Sequence, residues 1–171
     1  MTTVVHSFFK DNQELKSVLE HSNEISLLQT AEDSLRKSLA LAAGSYFEHE
    51  ISTLLLQFAT SKSNGCPELV EFIKNKALNR QYHSLFAWDA RNANSFFGLF
   101  GEKFRNQAKE DVKNSQNLND SIKSFLELGE LRNMVVHQNF ASFATDKTSD
   151  EIFSSFVNAL VFLEYLKQKL V

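Results

Sequence analysis

The chain has 171 residues, 43% of them hydrophobic and 23% charged, which suits one domain with a substantial core and excludes a disordered polyelectrolyte. Its net charge of −3 excludes the strongly basic class of nucleic-acid binder, so any RNA contact must be local. A single cysteine excludes an internal disulfide. Cys66, in SKSNGCPEL, has no His or Cys at metal-ligand spacing and reads as a bystander thiol in a reducing compartment.

The N-terminus, MTTVVHSFFKDNQEL, has no basic region leading into a long apolar run, so no signal peptide is expected. No stretch reaches the ~18 apolar residues of a membrane span. A cytoplasmic location with no membrane contact is the expectation. With one proline and five glycines, long segments run uninterrupted, which favours helix throughout. Sixteen phenylalanines imply large rings packed between those helices.

Residues 7 to 21 place Phe8, Leu15, Val18 and Leu19 near helical spacing and predict a first short helix. SNEISLLQTAED reads as a connection merging into the next element. From 30 to 59, Leu35, Leu39, Ala43, Phe47, Ile51, Leu54 and Phe58 recur at three and four, with Thr30 and Asp33 as the start signal. SKSNGCP stops that helix and Pro67 opens a third, with Leu69, Phe72, Ile73, Ala77 and Leu78 inside. In 87 to 101, AWDARNANSFFGLFG, Asp89, Asn92 and Asn94 are turn and cap residues, and FFGLFG predicts a short helical turn with aromatic plugs. EKFRNQAKEDVKNSQ is a polar fourth helix. Residues 117 to 137 form the fifth, capped by Asn119 or Asp120, with Ile122, Phe125, Leu128, Leu131, Met134 and Val135 inside and Gly129 as an interruption. After a loop at 138 to 147, Thr148 and Glu151 make a capping box for a last helix to Val171. The expected fold is an all-α single domain over 1–171, a bundle of about five or six helices. The long helices 30–59 and 148–171 flank 117–137, residues 1–29 form an N-terminal helical extension, and 30–171 is the core.

The stretch ELGELRNMVVHQNF carries the chemistry. Arg132, Asn133 and His137 close the fifth helix. On a helix Arg132 and His137 point about 140° apart and lie about 7.5 Å apart along the axis, so they do not share a face. They can line one pocket if the loop frees His137, or if two copies face each other. Histidine, a side chain type that titrates near pH ~6.5, suits general acid–base work on a ribose 2′-OH. Arginine offers a planar fork of donors to a phosphate, and an asparagine beside it can stabilise an oxygen. The same residues also suit a plainer reading, with His137 capping helix carbonyls and Arg132 in a surface ion pair. Its own helix offers no acid three or four residues away, so a partner must come from another helix.

RNMVVH matches the R-N-x-x-x-H form of the motif that defines the HEPN family, and the chain resembles that family over about residues 30 to 170. The loop QNFASFATDKTSDEIF, together with NANSFFGLFGEKF and SYFEHEIS, is most similar to its RiboL-PSP group. The resemblance implies a HEPN-like helical bundle and a metal-independent endoribonuclease that uses the 2′-OH and leaves a cyclic phosphate. It implies Arg132 and His137 as the catalytic pair, Asn133 as the accompanying polar residue, and a homodimer whose two motifs form one cleft. No metal or organic cofactor is implied. RNA is the expected substrate, a toxin or defence effector the expected role, and an antitoxin or sensor protein a candidate partner. The alternative is a non-catalytic dimeric HEPN module that binds RNA or a partner protein.

Glu48, on the flank of the 30–59 helix, is a candidate to orient Arg132 or His137, since the family often carries an acid on a facing helix; a solvated acid is the plain alternative. Glu50 falls near the apolar stripe, and His49 reads as surface. Trp88, Arg91 and Asn92 suit either a base-gripping cluster or an aromatic plug. Arg105, Lys109 and Lys113 share one stripe, which suits a phosphate track or a solvated face.

Overall fold

The computed structural model describes residues 2–171. Thr3 caps the first helix, α1 (Val4–His21), by accepting from the His6 N–H, so α1 begins earlier than periodicity alone predicts. It ends at His21, and two residues on Asn23, with a φ of 56°, takes the left-handed conformation that follows helix ends. The next helix, α2 (Ile25–Lys62), has 38 residues and is about 57 Å long. It starts well before the expected Thr30. Ile25 and Leu27 are exposed, so this first turn carries no apolar stripe to read. Thr30 is not a cap: its hydroxyl donates to the Ser26 carbonyl within the helix. The residue-30 boundary therefore falls inside α2.

Pro67 occupies the first turn of α3 (Pro67–Ile73), as expected. The single third helix does not form. A π-helical turn at Lys74–Leu78 follows, Asn79 turns to an extended conformation, Arg80 takes a φ of 60°, and α4 (Tyr82–Leu85) starts afresh. The short helical turn is α5 (Asn94–Gly98), preceded by the Asn92 side chain accepting from the Asn94 N–H. Then come α6 (Glu102–Asn114), α7 (Gln116–His137) and α8 (Ser149–Leu170). The α7 cap is Ser115, which accepts from Leu118 N–H at 3.2 Å, and not Asn119 or Asp120. The Thr148–Glu151 capping box of α8 forms in both directions. The all-α reading holds, with eight α-helices among the described residues where five or six were expected. The difference lies in the short turns between 67 and 98, where loop chemistry cuts one predicted helix into pieces.

Helices α2, α7 and α8 pack against one another as a three-helix core, so α2 and α8 meet directly as well as through α7, and α1 covers α2. Phe125 of α7 sits at the centre, with Phe47 of α2 at 5.3 Å, Phe86 at 4.8 Å and Phe162 of α8 at 5.2 Å between ring centroids. Each such buried ring contributes about 1.5–3 kcal/mol. This cluster fixes the depth of α7, and with it the position of the motif. Six residues assigned inward by periodicity are exposed instead: Leu15, Val18, Leu69, Phe72, Ala77 and Met134. Cys66 is free and exposed. No helix among the described residues is long and apolar enough to cross a membrane.

One polar junction ties three helices. The Glu32 carboxylate receives the Lys16 ammonium of α1 at 2.7 Å and the Ser149 hydroxyl at the start of α8 at 2.8 Å. Burial pushes its pKa up, but the hydrogen bonds from Lys16 and Ser149 outweigh burial and hold it below the ordinary glutamate range. Asp111 is likewise lowered, chiefly by Lys169. A depressed carboxylate stabilises the fold fully above its unfolded pKa and loses that contribution as pH falls through the folded value. The melting temperature is therefore expected to drop below about pH 4.5, and Glu32→Gln is expected to flatten that drop. Melting curves from pH 7 to 3 decide it; an equal acid slope in the variant would remove Glu32 from the account.

Candidate active site

Gly44, in the middle of α2, sets the close approach of α2 to α7. A Cβ there would lie 2.6 Å from Arg132 Cγ and 2.9 Å from its Cβ, so the arginine stem lies directly across the glycine. The guanidinium then reaches Glu48, one helical turn further along α2, at 3.3 Å, and donates to the Asn133 side-chain oxygen at 3.2 Å. The acid that α7 does not place three or four residues from Arg132 is thus supplied by α2. Both partners are partly exposed, 29% for Arg132 and 42% for Glu48, so the fork remains open to solvent.

Tyr82 of α4 closes this crevice from the other side. Burial, and secondarily the Glu48 charge, pushes its hydroxyl above the ordinary tyrosine range, while Arg132 opposes that shift. Tyr82 therefore stays neutral beside the ion pair.

His137 is the last residue of α7 and is exposed. It makes no side-chain hydrogen bond among the described residues. It lines a neighbouring open groove of about 540 Å³, opposite Trp88 and Asp89. Asn133 lines both concavities. The structure therefore joins Arg132, Asn133 and Glu48 in one contact, and sets His137 on the adjacent face, as the 140° offset requires. Within one chain, Arg132 and His137 do not meet. No group of three or more His, Cys, Asp or Glu side chains among the described residues is arranged to hold a metal ion.

The wall between the two concavities is Trp88. Its ring lies on Gly129, where a Cβ would overlap the indole Cε3 and Cζ3, and its Nε1 donates to the His83 carbonyl at 2.8 Å. The glycine that reads as a mild helix defect is a seat for the indole.

A family model described as RiboL-PSP-HEPN matches residues 6–171. The chain belongs to the HEPN family. The match takes in α1 as well as the motif helix of this HEPN domain. No curated protein and no solved structure matches the chain.

The remaining candidates scatter. Glu50 pairs with Lys167 of α8 at 3.2 Å, and His49 is on the surface. Asn92 serves its own turn, while Arg91 is exposed beside a separate groove with Lys123. Arg105 pairs with Glu102 on α6, and Lys109 and Lys113 are exposed there, away from the motif. Gly44, Tyr82 and the Trp88–Gly129 contact were not singled out from sequence. An isolated glycine inside a strong helical stripe is the one signal that points to Gly44; nothing local marks Tyr82.

Proposed function

We propose that this HEPN domain is a metal-independent endoribonuclease. The observation that supports this most is the guanidinium of Arg132, braced by Glu48 and Asn133 yet open to solvent, beside a groove edged by an unpaired histidine. In this reading His137 takes the proton from a ribose 2′-OH. The 2′-oxygen attacks phosphorus, the bond to the 5′-oxygen breaks, and that oxygen leaves with a proton supplied by a histidine. Arg132 binds the phosphate and the charge that develops on it. The products are a 2′,3′-cyclic phosphate and a 5′-hydroxyl. A second copy of the chain solves the separation of Arg132 from His137, since two motifs facing each other complete one cleft. Val136 and Phe140, 50% and 45% exposed beside His137, supply apolar surface for that contact. A toxin or defence role, held in check by an antitoxin or sensor protein, suits such an enzyme.

End-group analysis tests the chemistry. Products should carry cyclic phosphate, and a 2′-deoxy substitution at the cut position should block the cut. A 5′-phosphate product would contradict attack by the 2′-OH. The second reading, a non-catalytic module that binds RNA or a partner protein, draws on the net charge of −3 and on the ion pair that already engages Arg132. It predicts binding without any product.

Glu48 acts here as a positioning residue. Glu48→Gln is expected to lower kcat by roughly tenfold to a hundredfold through misplacement of the guanidinium. Melting should move little, because a partly exposed ion pair contributes only about 0–1 kcal/mol. An unchanged kcat would remove Glu48 from the site.

A further inference from the structure

The groove beside His137 has a chemical character different from a phosphate site. On α7, Glu130, Asn133, Met134 and His137 fall at i, i+3, i+4 and i+7, so they form one stripe along the helix. Opposite the stripe stand Ala87, Trp88 and Asp89. The groove, about 540 Å³, falls in the size range of small-ligand sites, about 300–1,000 Å³. No lysine or arginine lines it, and its charged rim is two carboxylates, Asp89 and Glu130. Neither carboxylate has an ion-pair or hydrogen-bond partner among the described residues. Such a rim repels phosphate and accepts N–H donors.

The wall is held by contacts within the chain. Trp88 is fixed by its seat on Gly129 and its hydrogen bond to the His83 carbonyl. Asp89 sits in the tight turn closed by Ala90 N–H on the Ala87 carbonyl at 3.0 Å. Met134, 38% exposed, offers an apolar face from the helix side. An apolar slot with acceptors at its edge matches a flat ring that stacks and donates.

We propose that this groove holds the nucleobase next to the cut phosphate and that Glu130 and Asp89 select guanine. Guanine alone among the four RNA bases presents two adjacent N–H donors, N1–H and N2–H, to the two oxygens of one carboxylate. Adenine and cytosine place an acceptor beside their amino group, and uracil flanks its N–H with two acceptors. A good bidentate pair discriminates by about fivefold to 150-fold against the wrong base. The proposal rests on the reading that the α7 motif handles RNA, and it assigns the base while Arg132 takes the phosphate.

The test separates binding from cleavage. The probes are fluorescent oligouridine 8-mers carrying one guanosine, inosine or adenosine at the centre, made both as RNA and as fully 2′-O-methyl RNA that cannot be cut. Inosine lacks only the N2 amino group. The wild-type protein should bind the guanosine 2′-O-methyl probe at least about fivefold more tightly than the other two, and should cut the guanosine RNA faster by a similar factor. Glu130→Gln should bring both ratios toward one, and Asp89→Asn should reduce them. Selective binding without cleavage would keep the subsite and overturn the endoribonuclease reading. Cleavage with guanosine and inosine ratios near one would keep the enzyme and overturn the subsite. Guanine selectivity that survives in both variants would overturn the assignment of these carboxylates. Absence of both binding and cleavage would overturn both proposals, as would capture of a basic peptide in the groove in place of RNA.

Discussion

Replacing His137 by alanine is expected to lower RNA cleavage by about 10²–10⁴-fold, the usual contribution of a positioned acid–base group. The fold should barely respond. His137 ends α7, is exposed, and makes no side-chain hydrogen bond among the described residues, so its removal leaves no buried group unpaired. The one structural role open to it, a favourable charge at a helix C-terminus, is worth about 0.3–1 kcal/mol. For a chain of this size that is a shift of no more than roughly 4 °C in Tm. Activity and stability measured on the same preparation therefore distinguish the two readings of this residue. Lost cleavage with an intact melt is the signature of a catalytic group. A Tm fall of 10 °C or more would make His137 a structural cap, and the cleavage loss would then say nothing about chemistry.

Gly129→Leu is expected to have the largest effect on stability. Helix propensity alone predicts the opposite sign, since leucine is better than glycine in a helix interior by close to 1 kcal/mol. The packing overrides it. A Cβ at 129 already overlaps the Trp88 ring, so leucine must expel the indole from its seat and break the bond from its Nε1 to His83. Trp88 also touches the core, with its ring 5.1 Å from Phe86 and 5.7 Å from Phe125. The cost should approach that of deleting a packed tryptophan, about 3 kcal/mol at the low end. That corresponds to a Tm lower by roughly 6–12 °C. Indole fluorescence should shift to the red as the ring meets water, a convenient second readout because this is the single tryptophan of the chain. A variant that melts at or above the wild-type temperature would show that the indole is not held by that glycine.

These two residues also show what the sequence reveals and what it hides. His137 is legible because the spacing of a motif on a helix is a local property. So is the absence of an acid three or four residues from Arg132 on its own helix, which requires a partner from elsewhere. The long apolar stripes of α2, α7 and α8 declare their cores for the same reason, and Thr148 with Glu151 declares a helix start. Helix ends that rest on weak signals are less legible. Thr30 looked like a start because a hydroxyl before an acid suits a cap, yet it bonds back to Ser26 inside a helix that Asn23 had already allowed to begin. Residues 67–85 are harder still to read. Their apolar positions have helical spacing, but Leu69 and Phe72 are exposed and the left-handed Arg80 breaks the run. The site divides in the same way. Its partners along α7 are readable, while Gly44, Tyr82 and Trp88 reach Arg132 or Gly129 only through tertiary packing, which no local pattern encodes. Glu48 lies between these cases. Its place on the flank of α2 was visible, and its pairing with Arg132 depended on how closely α2 and α7 approach, which Gly44 controls.

In the proposed function, α7 carries a histidine-dependent, metal-independent ribonuclease site. The measurement that tests it most directly is incubation of the purified protein with total RNA in EDTA, beside the His137→Ala variant. Cleavage by the wild type is expected to survive chelation and to disappear in the folded variant. Absence of cleavage by the wild type, or equal cleavage by both proteins, would contradict it.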